Sequence, residues 1–508
     1  MRSRAAIKNT IYSLMSYSII VLIGFISQKV FLNILGKEYL GIHSLFNNIV
    51  TMLAIVELGF GSAVITNLYR PVALNDYKLI NILLAFYKKV YRVMGIIVFI
   101  LGIFIIPFID KIVGETVLNI NFKFIFLFYL IDTVSSYLLS YKRSIIYAYQ
   151  KAYIINIVHT IMIILMNILQ VIILIYTSNY YLYLIIKVLC RIGENIIINN
   201  IVNKNYSFID DNSKSNLPNE IKDDIVKKVK GLIFHKIGTF IVLGTDNIII
   251  SMLPGLGIVW VGLYSNYLLI INQLSNIISQ IFNSLTASVG NLVIEEDSKK
   301  SYKVFKCILL LNSFIYTYAA ISMFFISKPF IKLWIGEEYL FKDYIVLSLV
   351  INFYLNGMRN SYTLFKDASG IFYEDRMVPI IESIVNLFIS LIAGYFYGII
   401  GVFIGTICSN FVLFLYSFPK YVYKRIFERN VKEYFKELAY YFGLYILTFI
   451  ICFIVIDNVK INNIIIQIIT YIILIFIICI FSFFITKKKS EEFEYLYDIL
   501  KKFKIWRR

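Results

Sequence analysis

Three residues carry the first chemical signal in this chain. Lys187, Arg191 and Glu194 stand at i, i+4 and i+7 within the apolar stretch 180–202, which places all three on one face of a helix. A Lys, Arg or Asp at the centre of a bilayer costs roughly 2.5–3.5 kcal/mol even on translocon scales, while each Ile or Leu recovers only about 0.3–0.6 kcal/mol. Such a helix should not turn that face to lipid. Further ionisable residues interrupt other apolar stretches: Lys29, Glu57, Asp132, and the set His235, Lys236 and Asp246. If these helices line one cavity, it is polar and mainly basic, with Lys29, Lys187, Arg191 and Lys236 facing Glu57, Asp132, Glu194 and Asp246. Arg and Lys gathered in this way bind anions such as phosphates, and the acidic members are candidates for carrying a coupling ion. The plainer reading is a set of ion pairs that staple the bundle, with Lys236 snorkelling to its helix end and Glu57 serving the glycine-rich end at Gly59 and Gly61. A second group, Arg359, Asp375 and Arg376, reads as a solvated ion-pair network or as an inner gate.

Residues of this kind have to be positioned by membrane helices. The 508 residues are 59% hydrophobic and 16% charged, against roughly 45–50% and about 25% in ordinary soluble domains. With about 20 apolar residues needed per crossing, the expected spans are 11–35, 42–66, 91–109, 120–140, 153–177, 180–202, 231–254, 257–285, 305–327, 338–360, 378–397, 399–418, 437–456 and 463–485. The fold class is therefore an all-α integral membrane protein of about fourteen transmembrane helices. Most of the 49 basic residues fall in alternate loops, and the positive-inside rule then places both termini in the cytoplasm. The net charge of +18 is thus mostly a topology signal. The tail from Lys487 to Arg508 suits anionic lipid, and nothing gathers basic residues on one face as a nucleic-acid site would need. The first apolar stretch is too long for the core of a cleavable signal, so it is expected to be retained.

No catalytic signature and no nucleotide-binding motif occurs. Three scattered histidines, His43, His159 and His235, do not suggest a metal site, and the five cysteines read as packing residues. The 40 tyrosines and 42 phenylalanines are expected mostly at the lipid boundary and its interfaces. The seven prolines fall in predicted loops or at span ends, which predicts no proline kinks within helices. The polar stretch 203–230 reads as a cytoplasmic linker between an N-terminal lobe (1–202, helices 1–6) and a C-terminal lobe (231–430, helices 7–12), with the last two helices and a basic tail in 431–508. The halves also echo one another. Gly36 to Asn47, leading to Gly61, Ser62 and Ala63, and Gly255 to Tyr267, leading to Ala287, Ser288 and Gly290, repeat a glycine-bearing outer turn and a small-residue helix end at an offset of about 220.

Several of these stretches carry a family resemblance: Leu35-Gly-Lys-Glu-Tyr-Leu-Gly41, Glu57-Leu-Gly-Phe-Gly-Ser-Ala63 with Leu68-Tyr-Arg-Pro71, His235-Lys-Ile-Gly238 with Thr245-Asp-Asn247, Gly262-Leu-Tyr-Ser-Asn266, Ala287-Ser-Val-Gly-Asn291, Gly370-Ile-Phe-Tyr-Glu-Asp-Arg376 and Gly398-Ile-Ile-Gly-Val-Phe-Ile-Gly-Thr406. In order along the chain they resemble the bacterial polysaccharide repeat-unit flippases (Wzx-type) of the multidrug/oligosaccharidyl-lipid/polysaccharide exporter (MOP) superfamily. The resemblance implies two pseudo-symmetric lobes around a central cavity, as in MATE transporters, and alternating access in the bacterial cytoplasmic membrane. It also implies undecaprenyl-pyrophosphate-linked oligosaccharide units as substrate, a polymerase and assembly proteins as partners, and no enzymatic activity or cofactor beyond coupling to a proton, sodium or the membrane potential. A drug/cation antiporter of the same fold is the nearest alternative, and Lys29 in the first helix, where such antiporters carry an acid, speaks against it. A membrane-embedded glycosyltransferase or polymerase is the remaining one, disfavoured by the short outer loops.

Overall fold

A computed structural model of the chain describes residues 2–57, 60–114, 116–210, 217–218, 221–223, 225, 244–371 and 374–496. His235 and Lys236 lie outside them, as does half of the predicted linker. Helices account for nearly all the described residues and no strand occurs among them. The chain divides into two compact units, Met1–Gly262 and Leu263–Arg508.

The first unit contains α1 (Arg2–Leu35), α2 (Lys37–Leu53), a 3-10 turn (Ala54–Glu57), α3 (Phe60–Leu74), α4 (Tyr77–Ile105), α5 (Ile109–Val113), α6 (Phe122–Tyr137), α7 (Ser140–Ala148), α8 (Ala152–Thr177), α9 (Tyr180–Asn205) and α10 (244–252). Polar residues start the helices where apolar runs begin. Asp76, Asn121 and Asn179 accept backbone N–H bonds at the first turns of α4, α6 and α9, each such cap contributing about 1 kcal/mol. α6 and α7 meet at a 43° bend.

α11 (Gly257–Glu295) begins in the first unit and continues into the second, which holds α12 (Ser298–Trp334), α13 (Asp343–Ala368), α14 (Val378–Tyr397), α15 (Ile399–Val412), a π-helical continuation (Leu413–Ile426), α16 (Val431–Asp457) and α17 (Ile464–Lys487). The tight α14–α15 hairpin turns on Gly398 at φ 63°, and a Cβ on Gly401 would stand 2.0 Å from the Ala393 carbonyl oxygen. Only glycine permits that backbone approach.

Among the described residues, nine helices are long and apolar enough to cross a membrane, ten if the bent α6–α7 pair is one span. That bears out the all-α, multi-pass reading. α9 falls short on composition because every 18-residue stretch of it holds at least three charges. The predicted span 42–66 is broken at the 3-10 turn before α3.

Two expectations are corrected. Pro71 lies inside α3, Pro329 inside α12 and Pro419 inside the π-helical stretch. A proline removes a single N–H, and neighbouring helices and a locally widened turn absorb that loss. Second, many aromatics are interior rather than lipid-facing. Tyr87, Tyr129, Tyr267, Tyr354, Tyr362, Tyr423, Tyr434 and Tyr441 are among the largest fully buried side chains. Some of their hydroxyls find acceptors, Tyr434 Oη donating to the Phe414 carbonyl at 2.7 Å and Tyr87 Oη to that of Val64 at 3.3 Å, which makes those tyrosines tolerable in an apolar core, whereas the Tyr362 and Tyr441 hydroxyls have no partner among the described residues.

The first unit runs to Gly262. α10 is tied into the first unit, with Asn247 Nδ2 donating to Ser44 Oγ at 3.0 Å and Ser251 Oγ to the Ile112 carbonyl at 2.6 Å. The two repeated glycine turns also meet. A Cβ on Gly41 would be 2.1 Å from the Ile258 carbonyl oxygen, and one on Gly262 would be 2.0 Å from that of Lys37. The starts of α2 and α11 thus pack backbone to backbone.

After α17 the chain folds back onto the second unit. Glu492 is 2% exposed and takes Lys487 at 2.8 Å and Lys306 at 3.2 Å, while the Lys487 ammonium sits over the Tyr440 and Tyr441 rings. Burial pushes the Glu492 carboxyl up, but the Lys487 hydrogen bond and the two ammonium charges outweigh it and hold it below its ordinary value. The stabilisation is present above the ordinary carboxylate range and is lost as pH falls through the lowered value. Limited proteolysis after residue 487 is therefore expected to speed up in acid. Glu492→Gln, which loses about 1–2 kcal/mol, should cleave fast at neutral pH with little further change on acidification; a wild-type-like rate would refute the tether.

Candidate functional site

The charged face of α9 is built into the first unit as a chain of alternating charges. Asp132 on α6 receives Lys187 at 3.5 Å and Arg191 Nε at 3.4 Å. Arg191 Nη1 stands 3.6 Å from Glu194, three residues on. Glu194 in turn meets Arg143 Nη2 of α7 at 3.0 Å and His159 Nδ1 of α8 at 3.2 Å. The carboxylates are buried, Asp132 at 6% and Glu194 at 3% exposure, whereas the Arg191 side chain keeps 31%. So the carboxylates are committed to the protein and the arginine is partly open.

Neighbouring polar groups fix the geometry. Lys187 Nζ donates to Asn47 Oδ1 of α2 at 3.0 Å and lies 4.4 Å from the centre of the Tyr129 ring. Tyr129 Oη bonds His43 Nδ1 at 2.6 Å and Tyr180 Oη at 2.7 Å. Asn195 anchors the far end, accepting from Arg143 Nη2 at 2.9 Å and donating to the Ser135 carbonyl at 2.8 Å. Lys142, 1% exposed, donates to Asn203. The members come from α2, α6, α7, α8 and α9.

The structure therefore brings together Lys187, Arg191, Glu194 and Asp132. Lys29 is exposed on α1, and Asp246 is buried on α10 next to Asn247. Glu57 is half-buried in the 3-10 turn and lines a cavity of about 300 Å³ with Arg143 and Arg191. Lys236 lies outside the described residues. In the second unit the expected gate residues separate. Arg359 holds Glu382 at 2.6 Å and Asn410 at 2.9 Å, while Asp375 is fully buried against Lys366 and accepts from Ser417 Oγ at 3.0 Å. The Lys366–Asp375 pair is thus interior rather than solvated, because the turn after α13 folds under the π-helical stretch. Arg376 is half-buried beside it.

Sequence reasoning missed Arg143, Asn195 and the pairing role of His159. Arg143 fell between two apolar runs and read as a loop cation. Among the described residues no group of His, Cys, Asp and Glu is arranged to hold a metal ion.

No family model and no curated protein matches the chain. Solved structures do. The lipid II flippase MurJ in an inward closed conformation superposes with a TM-score of 0.64 at 15% identity, covering 94% of this chain and 99% of that one. An inward-facing multidrug resistance MATE family transporter of the MOP superfamily gives 0.60 at 13% identity, over 81% and 97%. The Vibrio cholerae MATE transporter VcmN gives 0.53 at 13% identity, over 85% and 99%. The chain thus has the fold of the MurJ and MATE membrane transporters. At these identities the likeness establishes architecture, and the substrate has to be argued from the site.

Proposed function

We propose that this protein is a flippase of the MOP superfamily that carries undecaprenyl-diphosphate-linked oligosaccharide units from the inner to the outer leaflet of a bacterial cytoplasmic membrane. The observation that carries the proposal is the partly open Lys187–Arg191–Arg143 array, set inside an apolar helical unit and joined to carboxylates by contacts of 3.0–3.6 Å. Arginine forks match phosphate oxygens, and the polyprenyl tail can stay in lipid during transfer. Moving two negative charges from a negative interior outward is favoured by roughly 4.6 kcal/mol per 100 mV, so the membrane potential can drive the step. Surface polysaccharide synthesis, with a polymerase acting on the delivered units, is the process this activity serves.

The same fold also suits a drug/cation antiporter, and the buried Asp132 and Glu194 are what favour that second reading. Proteoliposomes holding the purified protein decide between them. Fluorescent undecaprenyl-diphosphate-linked sugar should cross the bilayer faster under an inside-negative potential than without one. Cation-gradient-driven export of a cationic dye, with no lipid transfer, would overturn the proposal in favour of the antiporter.

A further inference from the structure

From Leu413 to Ile426 the second unit keeps a π-helical winding, with Pro419 inside it. Such turns close their hydrogen bonds one residue later than α-helical ones, are mostly confined to a single turn, and often mark functional sites. The winding changes which side chains share a face. Cys408, Val412, Tyr416 and Lys420 stand four residues apart. At 3.6 residues per turn the first and last of them would be about 120° out of line. Wider turns take back that drift, and all four line one groove of about 510 Å³ between α14 and the π-helical stretch. Its volume lies within the roughly 300–1,000 Å³ of ordinary ligand pockets.

The groove opens away from the protein interior. Met377 and Ile381 at the start of α14, with Leu415 and Tyr416 opposite, keep 45–61% exposure. Both walls belong to helices long and apolar enough to cross a membrane, so these side chains meet acyl chains, which are as apolar as leucine.

Lys420 closes one end. Its ammonium donates to Tyr416 Oη at 2.7 Å and lies 4.7 and 5.1 Å from the centres of the Tyr416 and Tyr421 rings. No carboxylate among the described residues pairs with it, whereas the nearby Arg425 is taken by Glu374 at 2.8 Å. The backbone beneath is held in place: Tyr421 Oη donates to the Glu374 carbonyl at 2.9 Å, and Ser417 Oγ to the buried Asp375 at 3.0 Å. Lys424 and Arg425 extend this basic edge, the side that the positive-inside rule assigns to the inner leaflet. An unpaired cation flanked by aromatic rings, at the mouth of an apolar groove, matches a phosphodiester standing above an acyl chain.

We propose that this groove binds one anionic glycerophospholipid of the inner leaflet, such as phosphatidylglycerol, with an acyl chain between α14 and the π-helical stretch and the phosphate on Lys420. The site lies wholly within the second unit and does not rest on the flippase reading.

The test places full-length protein in phosphatidylcholine nanodiscs doped with a phosphatidylglycerol that carries a photoreactive diazirine on one acyl chain, and maps the cross-links by mass spectrometry. Labels should fall on residues 377–381 and 408–415, and unlabelled phosphatidylglycerol should displace them about tenfold better than phosphatidylcholine with the same chains. Lys420→Gln should weaken labelling about fivefold, the worth of one lysine at an anionic surface. Ile381→Trp, which fills the groove from its exposed side and leaves Lys420 in place, should abolish it. Lys424→Gln, outside the groove, should stay close to the wild type. Equal competition by phosphatidylcholine would reduce the groove to ordinary boundary lipid and overturn the proposal. Equal loss in Lys420→Gln and Lys424→Gln would show general surface charge only and overturn the head-group contact. Displacement by undecaprenyl phosphate but not by phosphatidylglycerol would give the groove to a polyprenyl chain and overturn the phospholipid assignment.

Discussion

Cells relying on an Arg191→Ala copy of this protein are expected to lose surface polysaccharide and to accumulate lipid-linked units on the cytoplasmic face, at unchanged protein level. Arg191 is the one residue that touches both carboxylates of the charge chain, Asp132 at 3.4 Å and Glu194 at 3.6 Å, and it also lines the cavity. Its removal leaves Asp132 with Lys187 and Glu194 with Arg143 and His159, so the fold should survive. On the proposed flippase reading, what is lost is a partly open guanidinium fork for phosphate, about 1.5–3 kcal/mol, or tenfold and more in affinity. Arg191→Lys keeps the charge without the planar fork and should recover only part of the transfer. Normal polymer with Arg191→Ala at matched expression would remove this residue from the mechanism.

The second large effect concerns stability. Asp375→Asn should lower the melting temperature of the detergent-solubilised protein by many degrees, because it strands the Lys366 ammonium, 4% exposed, without a counter-charge. Breaking one side of a buried pair costs about 3–5 kcal/mol. The pair also ties the end of α13 to the π-helical stretch, where Ser417 donates to both Asp375 oxygens at 3.0 Å and Tyr421 Oη to the Glu374 carbonyl at 2.9 Å. Replacing both partners together, Lys366→Met with Asp375→Leu, should recover most of the loss, since an apolar pair of similar volume carries no desolvation penalty. A single Asp375→Asn variant that melts with the wild type would show that the pair holds nothing.

These two sites were visible in the sequence to different degrees. The α9 face was legible because helical spacing is a local property: residues four and seven apart share a side whatever else the chain does. The partners of that face were not. Asp132 showed as a costly intramembrane charge, but nothing local said that it would sit between Lys187 and Arg191. Arg143 was passed over because hydropathy ended the fourth span near residue 140, whereas the helix bends and continues as α7. Alignment of the two halves at an offset near 216 would have paired it with Arg359 and Asn195 with Asn410. Lys29 was legible only as a cation in an apolar run, and it stands exposed on α1.

Composition and periodicity were enough to determine that this is a multi-pass helical membrane protein, because the cost of burying charge and backbone in lipid acts on every residue regardless of its partners. They also marked the glycine turns and the charged face, since both are signals of a few consecutive residues. Which charges meet and that Gly41 and Gly262 touch are matters of contacts between segments up to some 220 residues apart. Those depend on bends, helix rotations and close backbone approaches a few tenths of an ångström wide, and only the packed tertiary structure decides them.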